Sequence, residues 1–188
     1  MDEVAVFVAV TLARAVEAKD GATADHTLRV ADLAVRLAQA MGMDQAELLR
    51  VRVGALLHDV GKLAVPDRIL LKPGPLTARE WAVMARHPAA GARLLRGIQS
   101  LATVRPTILH HHERWDGAGY PHGLVGDAIP VEARIVAVAD AFVAMTEDRP
   151  YRRGMSALQA LAEIRAHAGT QFDPAVVARF PADLREVI

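Results

Sequence analysis

The run Asp44-Gln45-Ala46-Glu47-Leu48-Leu49-Arg50-Val51-Arg52-Val53-Gly54-Ala55-Leu56-Leu57-His58-Asp59 holds a helix start, a helical apolar stripe and a polar pair at the end of that stripe. Asp44 and Glu47 have capping-box spacing, so a helix is predicted to begin there and to stop before Gly61. Leu48, Val51, Ala55 and His58 recur at helical intervals, which points His58 inward with the apolar residues. Asp59 lies beside it.

On either side of this run the same punctuation recurs. Towards the N-terminus a helix is predicted from about Ala24 to Met41, closed by Gly42, with His26, Val30, Leu33 and Leu37 on one stripe. A first helix runs from about Glu3 to Ala18. Its apolar run Val4 to Leu12 follows Asp2 and Glu3 and precedes Arg14, the wrong charge order for a secretory signal, so it reads as a core helix. Towards the C-terminus, Thr77 with Glu80 repeats the capping pattern and Pro88 opens a helix. Pro106 to Glu113 reads as a short helix. Pro130 starts a long one through Met145, on which Ala133, Val136 and Asp140 share a face. Ser156 with Gln159 caps a segment ending at Gly169, and Asp173-Pro174 begins a last turn or two. Ala64 to Leu76 and Asp116 to Ile129 are irregular and rich in Gly and Pro, but neither is long enough to mark a domain boundary. The expectation is an all-α, compact helical bundle, residues 1–188 forming one domain.

Composition agrees and excludes several function classes. Of 188 residues, 52% are hydrophobic and 23% charged, which supports a core and rules out disorder. Aromatics are only 4%, so the core must be built from Ala, Val and Leu, which suit close helix packing. Lys plus Arg and Asp plus Glu number 22 each, which argues against binding duplex nucleic acid by bulk charge. With no cysteine, disulfides, thiolate zinc sites and thiol catalysis are excluded, which fits a reducing cytoplasm. No segment approaches the ~20 apolar residues that span a bilayer, so no membrane partner is expected.

Eight histidines remain to be explained. Taken singly, the bland reading is a hydrogen-bonded core histidine. That reading weakens when His26, His58 and two carboxylates, Asp59 and Asp140, all point inward from different helices, because a lone buried carboxylate costs several kcal/mol unless paired or metal-bound. Inward His and Asp in a bundle are a way to build a dinuclear metal centre without cysteine. The run His110-His111-His112-Glu113 adds donors, although three consecutive helical residues cannot all face one point, so one is a bystander. His122 has a plain surface alternative in its glycine-rich loop, and His167 suits a helix C-terminus. Trp81 and Trp115 read as packing residues, Trp115 being of interest for its place beside that loop.

His58-Asp59-Val60-Gly61-Lys62 resembles the signature of the HD-superfamily phosphohydrolases, and His111-His112-Glu113-Arg114-Trp115-Asp116-Gly117-Ala118-Gly119-Tyr120-Pro121 resembles that of the HD-GYP subfamily. Further matches come in the expected order: His26 with Arg29-Val30, His87-Pro88, Ile129-Pro130 with Ala133-Arg134-Ile135, Val138-Ala139-Asp140, and Asp148-Arg149-Pro150-Tyr151-Arg152. The resemblance implies hydrolysis of cyclic di-GMP to linear pGpG and on to GMP, in an all-helical fold holding iron or manganese. It implies His26, His58, Asp59, His87, His111, His112 and Asp140 as metal ligands, Asp59 bridging. Lys62 matches the catalytic lysine, Tyr120, Arg149 and Arg152 match substrate contacts, and His110 falls outside the motif. Ala22 and Val143 stand where trinuclear members carry carboxylates, which implies two metals here.

The chemistry is coherent. Two metals lower the pKa of a bridging water and clamp phosphate oxygens. Imidazole-rich ligation suits Fe, Mn or Zn above Mg or Ca. Two alternatives stand beside the phosphodiesterase: a weak or inactive module that binds cyclic di-GMP or a protein, and a phosphohydrolase for another cyclic dinucleotide or a nucleotide monophosphate. A regulatory domain or partner outside this chain is compatible with all three.

Overall fold

The computed structural model describes residues 3–20, 25–148 and 153–181. Among them are ten α-helices and no strand beyond two isolated bridges. They are α1 (Glu3–Asp20), α2 (His26–Ala40), α3 (Gln45–Leu57), α4 (Asp67–Leu70), α5 (Ala78–Met84), α6 (His87–Leu94), α7 (Arg105–His110), α8 (Val131–Thr146), α9 (Ala157–Ala166) and α10 (Pro174–Val177). Helices α2, α3 and α8 pack on one another in the centre. Helix α1 covers α3, α6 packs on α7 and on the 3-10 turn Val60–Ala64, and α9 and α10 close over α8.

The centre is narrow because its contact residues are small. Ala31, Ala34 and Ala38 of α2, Ala55 of α3, and Ala133 and Ala139 of α8 are fully buried, which lets helix axes approach closely. Val30, Leu37, Val51, Leu57, Val136 and Phe142 fill the remaining space. All three expected capping boxes form, at Asp44, Thr77 and Ser156, and Asp173 accepts from the Ala175 amide at 2.7 Å. Each such cap contributes about 1 kcal/mol and fixes where its helix begins.

The boundaries depart from expectation where the chain turns towards the polar centre. The stripe through α3 reaches His58, but regular helix ends at Leu57, and Val60–Ala64 is wound as a 3-10 turn. There Gly61 lies against the start of α6, where a Cβ would run into the His87 carbonyl. The segment predicted over Pro106 to Glu113 stops at His110, so His111 and His112 sit in a turn rather than on a helix. That turn removes the constraint that three successive helical side chains cannot converge. The irregular stretch Ala64 to Leu76 contains the short helix α4. No helix among the described residues is long and apolar enough to cross a membrane.

Candidate metal centre

All seven expected ligands come together, in two groups whose donor atoms lie within 4.8 Å of one another. His26, His58 and Asp140 form one group, from the start of α2, the end of α3 and the middle of α8. Asp59, His87, His111 and His112 form the other, from the turn after α3, the first residue of α6 and the turn after α7. Asp59 faces both. Its Oδ2 lies 3.3 Å from His58 Nε2, and its Oδ1 lies 3.1 Å from His87 Nε2 and 3.9 Å from His111 Nε2.

The imidazoles are oriented from behind. His58, His87 and His111 direct Nδ1 at the carbonyls of Ala55, Met84 and Ile108, at 2.6, 2.9 and 2.8 Å. In each case the partner lies three residues earlier, so the preceding turn fixes the ring. Donation from Nδ1–H leaves the Nε2 lone pair facing inward, the tautomer a metal ligand needs. His26 does the same through Glu147, whose Oε2 lies 2.8 Å from Nδ1, while its Nε2 lies 3.2 Å from Asp140 Oδ1. The Nε2 of His58 is buried and makes no hydrogen bond among the described residues. An orphaned nitrogen that faces carboxylates in a ring of imidazoles fits a divalent cation.

Charge in the cluster is unevenly held. Burial disfavours the charged form of His58, but Asp59 and Asp140 outweigh it and raise its pKa to about 9. His26 is raised too, against its burial, chiefly by the hydrogen bond to Asp140. Burial opposes the charge on Asp59 as well, yet His58 and Lys62 hold it well below the usual carboxylate range. Burial and neighbouring imidazoles push His111 well down, and His112 down to about 4. The carboxylates thus favour positive charge at the His26 and His58 side.

Lys62 is not a solvated helix-end lysine. Its ammonium lies 2.8 Å from Asp59 Oδ2 and 2.7 Å from Asp20 Oδ2, and its side chain is only 21% exposed. Those two carboxylates overcome its burial and keep it protonated. Tyr120 stacks on His112 with ring centroids 4.8 Å apart and donates its amide to the His112 carbonyl at 3.2 Å. Gly119 makes this possible, since a Cβ there would strike the backbone of His112, Glu113 and Arg114. Trp81 corrects its reading as a packing residue: it is 51% exposed and sets its edge on Tyr120 at 5.9 Å. Trp115 does pack, with the Arg134 guanidinium 5.6 Å from its ring centre. Val143 is buried in the apolar core and offers no ligand. Arg149, Arg152 and Ala22 lie outside the described residues.

Three carboxylates around the centre and its loop escaped the sequence reading. Asp20 ends α1 and reaches Lys62 from a distant region of the chain, which nothing local signals. Glu147 lies seven residues after Asp140, a heptad spacing that could have placed it on the same face. Glu113 stood out only as a member of a motif, yet its oxygens accept the amides of His122 and Leu124 at 2.8 and 3.1 Å and shape the loop.

The HD domain family matches residues 11–176. The chain belongs to the HD domain family. This HD domain is 48% identical over 168 residues to the cyclic di-GMP phosphodiesterase response regulator RpfG of Xanthomonas campestris, which covers 88% of this chain and 44% of that protein. It is 44% identical over 168 residues to the 3'3'-cGAMP-specific phosphodiesterase 2 of Vibrio cholerae, over 88% of this chain and 32% of that protein. The chain therefore spans less than half the length of these relatives. A crystal structure of a cyclic GMP-AMP specific phosphodiesterase of V. cholerae superimposes with a TM-score of 0.72 at 22% identity, covering 92% of this chain and 47% of that one. That likeness establishes the shared helical fold.

Proposed function

We propose that this HD domain, taken as one domain over residues 1–188, is a metal-dependent phosphodiesterase that hydrolyses cyclic di-GMP in the cytoplasm to linear pGpG or GMP. The observation that carries the reading is the orphaned His58 Nε2 within seven converging donors, with the Asp59 oxygens turned to different imidazoles. His26, His58 and Asp140 would hold one divalent ion, His87, His111 and His112 a second, with Asp59 shared. Two imidazole-rich sites suit iron or manganese, and also zinc. Bound there, such ions would activate water and neutralise charge on the phosphodiester.

The chain's own residues do the rest. Lys62 holds its proton at Nζ beside Asp59 and presents positive charge to a phosphate oxygen or to the departing oxygen. Asp20 holds that ammonium from the other side. Burial raises the Tyr120 phenol, so it stays a neutral donor at the rim and a flat partner for a purine, with Trp81 beside it. Arg149 and Arg152 would bind the second phosphate.

Similarity to a 3'3'-cGAMP-specific enzyme favours a second reading, in which the substrate is that mixed dinucleotide. The test is chromatography of products after incubating metal-loaded protein with each cyclic dinucleotide separately. Linear products from cyclic di-GMP at the higher kcat/KM support the first reading. Faster turnover of 3'3'-cGAMP supports the second, and binding without turnover of either makes the domain a receptor.

A further inference from the structure

A third set of donors lies outside the centre described above. His110, which falls outside the HD-GYP motif, ends α7, while Glu113 and His122 flank the loop that carries Tyr120. Their donor atoms lie within 4.8 Å of one another. His110 Nδ1 is buried without a hydrogen bond among the described residues, 3.5 Å from Glu113 Oε1. The His110 and His122 rings approach to 5.2 Å between centroids. We propose that His110, Glu113 and His122 form a separate divalent-cation site of the zinc class that ties α7 to this loop.

Donor chemistry and geometry carry the assignment. Two imidazoles and one carboxylate match zinc and are poor ligands for calcium or magnesium, which take oxygen. Ligand atoms around a tetrahedral zinc stand about 3.3 Å apart for bonds of about 2.0–2.1 Å. The His110 to Glu113 separation is already close to that, and His122, being exposed, is free to close the rest. Glu113 is fully buried and spends one lone pair of each oxygen on a loop amide, leaving others for a cation. With three protein donors, a water would complete the tetrahedron. The site is independent of the centre because His111 is turned elsewhere, with Nδ1 on Ile108 and Nε2 towards Asp59. An ion here would link His122 to His110 across the segment that holds Tyr120 against His112. Its effect would be to stiffen the loop at the rim of the centre.

Crystals of the whole chain grown with zinc in slight excess, measured on both sides of the zinc edge, test this. The expected result is an anomalous peak about 2.0–2.2 Å from His110, Glu113 and His122, lost in His122→Ala while peaks at the centre persist. In solution the same variant should bind one zinc fewer per chain, and zinc should slow amide exchange at His122 and Leu124 in the wild type only. Asp59→Asn should keep this peak even if the centre empties, which separates failure of this site from failure of the proposed function. No peak at these donors, or a peak that survives in His122→Ala, would overturn the proposal. So would equal zinc stoichiometry in the two proteins.

Discussion

Asp59, half-buried, and Glu113, buried, are both carboxylates just past the end of a helix, and they are satisfied in opposite ways. Asp59 meets three imidazoles and an ammonium, all side chains, and its oxygens point at different groups. Glu113 spends both oxygens on backbone amides of one loop. A carboxylate whose hydrogen bonds come from the amides of one loop shapes the chain. One surrounded by charged and metal-competent side chains has its energy tied to what those groups bind. The difference separates the proposed metal centre from the loop beside it, and each half of it can be broken.

The largest effect is expected at Asp59. Asp59→Ala should lose both ions and with them phosphodiesterase activity, because a shared carboxylate offsets the repulsion of two cations. His111→Ala, which removes a terminal imidazole, should lose less metal. Elemental analysis of both variants checks the order, and full occupancy in Asp59→Ala would remove Asp59 from the bridge. Next comes Lys62, which touches Asp59 without being able to ligate. Lys62→Ala should retain both metals and still bind cyclic di-GMP, while kcat falls ~10²-fold or more. Calorimetry and turnover on one preparation decide this, and wild-type turnover would leave Lys62 only its ion pairs.

Smaller effects are expected from the two proposed substrate contacts. Tyr120→Ala and Arg149→Ala should each weaken apparent affinity for the dinucleotide roughly 10- to 100-fold with metal content unchanged, the scale of one lost stacking or charge-assisted contact. Unchanged kinetics in both would take them out of the site. The least effect on chemistry is expected from Glu113→Gln, which swaps one acceptor oxygen for a donor facing an amide. It should cost about 1–3 kcal/mol of stability and speed amide exchange at His122 and Leu124, with metal at the centre retained. Loss of the central metals in Glu113→Gln would erase the contrast with Asp59.

The helical frame was legible because its signals are local. Asp44 with Glu47, Thr77 with Glu80 and Ser156 with Gln159 cap helices by contacts three residues apart, and all three form. The seven candidate ligands were legible for a different reason. His26, His58 and Asp140 fall in line with apolar stripes, Asp59 lies beside His58, and the resemblance to the HD-GYP pattern picked out His87, His111 and His112. What stayed hidden depends on long-range contact. The Asp20 carboxylate reaches Lys62 across 42 residues and Glu147 reaches His26 across 121. Trp81 looked like core from its type alone, and its exposure follows from the placement of α5, none of whose residues is buried. His110 looked idle because it was weighed only against the centre that His111 and His112 face.

The proposed chemistry depends on one pair of ions astride Asp59. Anomalous diffraction from manganese-loaded crystals of the wild-type chain is the decisive measurement. Two peaks are expected, one among His26, His58 and Asp140 and one among His87, His111 and His112, each bonded to a different oxygen of Asp59. A single peak, a third peak inside the same cluster, or two peaks of which only one touches Asp59 would refute it.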